Sequence, residues 1–108
     1  MRKRLSPLVL LLFFGIARAS WDLGCEPPSA GATSAIPSPE AAIAQAKYAW
    51  TVSSYPLSAH EIAKFEPYHA ELEGGQWHVY GSPAGGKGTP EALVCQKNGG
   101  TELWHWQR

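Results

Sequence analysis

The chain is short of cysteine, of methionine and of clustered positive charge. It carries two cysteines, one methionine, and nine basic against nine acidic residues. Beyond residue 18 the basic residues are Lys47, Lys64, Lys87, Lys97 and Arg108, scattered singly. Nucleic-acid binding needs clustered Lys and Arg to displace counterions, so that class of partner is excluded. Two cysteines cannot supply paired Cys-x-x-Cys ligands, and His60, His69, His78 and His105 lack the spacing of a zinc motif. The sequence therefore points to no metal and no cofactor. Gly85-Gly86-Lys87-Gly88 has no hydroxyl residue after its lysine, so it is read as turn-forming chain and not as a phosphate loop. Cys95 is a poor nucleophile candidate, because bridging or burial accounts for it. No repeat stands out beyond two hairpins in series.

Only one long apolar run exists, Leu8 to Ile16. Met1-Arg2-Lys3-Arg4 precedes it and Ala17-Arg18-Ala19 follows. A basic start, a short apolar core and a small-x-small site make a secretory signal peptide over residues 1–19. The run is too short for a comfortable permanent span. Cleavage after Ala19 is the expectation; an uncleaved anchor and lipidation at Cys25 are the alternatives. The lipoprotein pattern wants Leu where Asp22 stands. Cleavage removes four basic residues and no acidic one, leaving five against nine, a net charge near −4. The expected location is periplasmic or secreted. There an even cysteine count invites a Cys25–Cys95 disulfide, with two unlinked thiols as the alternative. Such a bridge closes a long loop and contributes about 4 kcal/mol in the chain-entropy model.

The most informative stretch is Glu66 to Gly81. Tyr68, Ala70 and Leu72 alternate with His69, Glu71 and Glu73; beyond Gly74-Gly75, Trp77 and Val79 alternate with Gln76, His78 and Tyr80. Period-two alternation on both sides of a Gly-Gly turn predicts a hairpin. Centring the turn there pairs Glu73 with Gln76, Leu72 with Trp77, Glu71 with His78, Ala70 with Val79 and His69 with Tyr80. Leu72, Trp77, Ala70 and Val79 then share the core face, while His69, Glu71, His78 and Tyr80 share the other. A slip of one residue would exchange the faces.

Upstream, residues 20–37 are rich in Pro, Ala, Ser and Gly without an apolar period, and read as a flexible arm. Ser38-Pro39-Glu40 announces a helix: a cap, a residue suited to the first turn, and a charge that complements the dipole. Ala42, Ile43, Ala46, Ala49 and Trp50 fall on one face of it. Pro56 ends it; Ser58 with Glu61 has capping-box spacing, and the segment after it fits a short second helix or an irregular lead-in to the hairpin equally well. Residues 81–90 form a glycine-rich connection, expected to be mobile and exposed. Strands are expected over 91–97 and 101–106, around Asn98-Gly99-Gly100. The fold class is α+β, an N-terminal helix on a curved antiparallel sheet of about four strands, with residues 38–108 as its single small domain.

His69, Glu71 and His78 make the best polar constellation, and a solvated face with a Glu71–His78 cross-strand pair is its bland explanation. Five tryptophans are present. Trp50 and Trp77 are assigned to the core. Trp104 and Trp106, like His69, Glu71, His78 and Tyr80, are candidates for a partner-binding surface, since aromatics dominate interface hot spots.

Glu66-Pro67-Tyr68-His69-Ala70-Glu71-Leu72, Trp77-His78-Val79-Tyr80-Gly81, the loop Pro83 to Gly86 and the Gly99-Gly100 hairpin together resemble a family of small bacterial proteins. These are the NTF-two-fold (nuclear-transport-factor-2-like) immunity proteins of polymorphic toxin systems, and the likeness covers about residues 38–106. Leu103-Trp104-His105-Trp106 is heavier in aromatics than the family's closing Leu-x-Ile strand, so the last register is not carried over. The resemblance implies a nuclear-transport-factor-2-like fold and a non-catalytic protein that binds and neutralises a cognate toxin. It transfers no catalytic residue. The alternative is a small envelope ligand-binding protein or enzyme of the same broad fold; a third reading is a structural accessory of the envelope.

Overall fold

The computed structural model describes residues 24–105, and of Trp104 and His105 the backbone. The expected signal segment and Trp106 lie outside the described residues. The architecture is α+β. Helix α1 spans Pro39–Val52 and a short α2 spans Ala59–Ala63. Four strands follow: β1 (His69–Glu73), β2 (Gln76–Tyr80), β3 (Pro90–Cys95) and β4 (Thr101–His105). They form one antiparallel meander in the order β1-β2-β3-β4. Among the described residues no helix is long and apolar enough to cross a membrane.

Both helix starts follow from local chemistry. The Ser38 hydroxyl accepts from the Ala41 N–H at 3.1 Å, with Pro39 at the first helical position. Ser58 and Glu61 close a capping box: Glu61 N–H donates to Ser58 Oγ, and Ser58 N–H to Glu61 Oε1. These bonds hold the exposed Glu61 carboxyl below its usual range.

The first hairpin has the register expected from Gly74-Gly75, from His69 opposite Tyr80 to Glu73 opposite Gln76. Both turn glycines have positive φ, 58° and 85°, a region where a Cβ is penalised. The α1 helix packs against all four strands. Ala42, Ala46 and Trp50, four residues apart, are its buried positions. The two alanines let its backbone approach the sheet, and Trp50 fills the far end beside Tyr68, ring centroids 5.5 Å apart. Tyr68 donates its hydroxyl to the Ile62 carbonyl at 2.7 Å, which ties α2 to the start of the sheet.

Two expectations change. Leu72 has the core-face register but is 46% exposed, while its partner Trp77 is buried. It stands on the edge strand near the turn, outside the cluster that packs around α1. The 81–90 connection is not uniformly exposed: Gly81, Thr89 and Pro90 are buried. It is also internally bonded, Thr89 Oγ1 to the Pro83 carbonyl and Gly86 N–H to the same oxygen, with Ser82 N–H on the Phe65 carbonyl.

Residues 24–37 form no helix or strand, and are held at several points. Cys25 is disulfide-bonded to Cys95 at the end of β3. Ala35 and Ile36 donate their N–H groups to the Lys97 and Gln96 carbonyls. The Ile36 side chain is buried, and its carbonyl accepts the Trp77 indole N–H.

Candidate functional site

Strand alternation divides the sheet into two faces. One packs under α1 through Trp77, Val79, Ala92 and Val94. On the other, the registers align His69, Tyr80 and Glu91 in one row and Glu71, His78 and Leu93 in the next. The β2–β3 register, set across the glycine-rich connection, brings a third-strand carboxylate beside two first-hairpin residues.

A cleft of about 210 Å³ opens on this face. Glu71, His78, Tyr80 and Glu91 line it from the strands, and Ala84 and Gly85 from the 81–90 connection. Tyr80 donates its hydroxyl to Glu71 Oε2 at 2.7 Å. His78 Nε2 lies 3.1 Å from Glu91 Oε1. With Glu91 ionised, its carboxylate only accepts, and Nε2 is then the donor in this contact. Glu91 is buried, 8% exposed, and His78 half-buried; Glu71 faces water. The Tyr80 ring is flanked by His69 and His78, with centroids 5.4 and 5.2 Å away.

Of the sequence candidates, Glu71, His78 and Tyr80 come together in the cleft. His69 stacks on the outer side of Tyr80 without lining it. The Trp104 backbone pairs with Glu91, one strand further on. Trp106 lies outside the described residues. Glu91 was not foreseen. A lone charge at the head of an otherwise apolar strand, Glu91-Ala92-Leu93-Val94, was the available signal, because a buried charge demands a partner.

Chemically, the described residues of the cleft offer two carboxylates, an imidazole and a phenol. Among the described residues, no group of three His, Cys, Asp or Glu side chains is placed to hold a metal ion. Such a site can accept hydrogen bonds from a donor-rich ligand. The His78–Glu91 pair also has the composition of a base oriented by a carboxylate. Compared with protein-family models, characterised proteins and solved structures, the chain matches none.

Proposed function

We propose that this chain is an exported, non-catalytic binding protein that engages a protein partner through the sheet face opposite α1. The observation that carries the reading is the division of labour between the faces. One is occupied by α1, while the other presents a polar, acid-rich cleft bordered by a loop of small residues. The disulfide supports an oxidising location outside the cytoplasm. The family resemblance, with its nuclear-transport-factor-2-like fold, adds the finer proposal that the partner is a toxin acting in the envelope and that binding neutralises it.

A second reading is a small envelope ligand-binding protein or enzyme. The concavity itself favours it, since convergent polar groups in a pocket are the usual mark of a small-molecule site. The two readings separate by affinity purification of the exported protein, with wild type and Glu71→Gln handled in parallel. A protein retained by wild type and lost by the variant supports the first. A retained or converted small molecule with no protein partner overturns it.

A further inference from the structure

We infer that β1 is a docking edge for a second copy of this chain, the two β1 strands pairing antiparallel about Ala70 into one continuous sheet. This goes beyond the partner-binding reading and does not depend on it. The backbone decides which groups are on offer. Gly81 N–H donates to the Pro90 carbonyl and Gln96 N–H to the Gly75 carbonyl, so the odd-numbered residues of β2 face β3. Gln76, His78 and Tyr80 therefore face β1, and their partners Glu73, Glu71 and His69 face back. Ala70 and Leu72, between them, turn their N–H and C=O groups outward from the terminal strand. Among the described residues nothing is hydrogen-bonded to these groups.

Proteins usually guard such an edge with proline, lysine or a bulge. None of these occurs over His69–Glu73, and the register against β2 is continuous. Leu72 adds an apolar side chain, 46% exposed, in the row shared with Tyr68 and Ala70.

Self-pairing then selects one register. Three registers oppose outward residues to each other while centring the pair within residues 70–72. Centred on Glu71, that carboxylate meets its own copy; centred on Leu72, Glu71 meets Glu73. Like charges directly opposite are destabilising. Centred on Ala70, His69 lies opposite Glu71 of the second copy, and Leu72 lies opposite Tyr68 on the α1 face. Two-fold symmetry makes each contact twice. Glu71 keeps its bond from Tyr80, since a cross-strand pair needs complementary groups in register and not a vacant oxygen.

The test combines sedimentation with amide hydrogen exchange of the exported, disulfide-bonded chain, at roughly micromolar and roughly millimolar concentration. The expected result is a reversible dimer in which exchange slows several-fold at Ala70 and Leu72. Cys95 N–H donates to the Gly100 carbonyl, so Leu103 faces outward on the opposite edge, and its exchange should not change. Leu72→Lys, at an exposed position, should weaken self-association roughly tenfold or more with an unchanged melting temperature. Ala70→Pro removes an outward N–H and should weaken it as much; if this variant fails to fold, Leu72→Lys decides alone. A monomer at both concentrations, a dimer indifferent to Leu72→Lys, or protection at Leu103 in place of Ala70 and Leu72 would overturn the inference. Protection of the β1 amides by a captured different protein, with no dimer, would overturn the second copy as occupant.

Discussion

Trp77 donates its indole N–H to the carbonyl of Ile36 at 2.9 Å, across 41 positions of sequence. The contact is buried, and it fastens the segment before α1 to the centre of the sheet. Trp50, equally a core residue, differs: its indole N–H is buried without an acceptor. The two tryptophans therefore respond differently to the same change. Trp77→Phe loses packing and strands a buried carbonyl, costing about 2–3 kcal/mol. Trp50→Phe removes an unsatisfied donor along with its packing and costs roughly 1 kcal/mol less. Urea denaturation of the two variants measures the difference; equal losses contradict the assignment.

The disulfide joins positions 70 residues apart. Replacing Cys25 and Cys95 together by serine is expected to cost about 2–4 kcal/mol, chiefly by freeing the unfolded chain. For a domain of this size that lowers Tm by roughly 10 °C or more. Thermal unfolding with and without reductant gives the same comparison on the native sequence.

The turn glycines provide an internal control. A Cβ on Gly74 meets nothing within 4 Å, whereas one on Gly75 falls 2.7 Å from the Pro27 backbone nitrogen. Both positions have positive φ. Gly74→Ala is expected to cost about 1–2 kcal/mol for the backbone alone. Gly75→Ala adds the displacement of Glu26 and Pro27 and should lose clearly more stability under the same denaturant.

Local signals made much of this fold legible. The Gly74-Gly75 turn set the whole β1–β2 register, and Ser38 marked the start of α1, while the capping pair Ser58 and Glu61 left α2 open between a helix and an irregular lead-in. What escaped depends on longer range. Leu72 obeys the alternation but stands at the edge, and alternation cannot say how far a helix covers a sheet. Glu91 reaches His78 through a β2–β3 register fixed by a long connection, not by a two-residue turn. Ile36 is a single apolar residue in a periodless segment, so its insertion against Gly99 and its carbonyl bond to Trp77 left no periodic trace.

Tyr68 ties stability to alkaline pH. Burial, aided by the Glu66 charge, pushes its hydroxyl from the usual 10 up to about 12. Above pH 10 the unfolded chain releases this proton while the folded chain keeps it. Its contribution to stability is whole below pH 10 and is lost as pH rises through about 12. Denaturation midpoints compared at about pH 9 and pH 11.5 should fall more steeply for wild type than for Tyr68→Phe, which has no proton to lose. Equal slopes contradict the shift.

The central claim is that partner binding occurs on the face bearing Glu71, His78, Tyr80 and Glu91. Calorimetry of the copurified partner against wild type, Glu71→Gln, His78→Ala and Tyr55→Ala tests it most directly. Tyr55, 83% exposed beyond the end of α1, serves as the control. The expected result is a loss of roughly tenfold or more for each cleft variant and an unchanged affinity for Tyr55→Ala. Full affinity in both cleft variants, or a loss confined to Tyr55→Ala, would contradict the account.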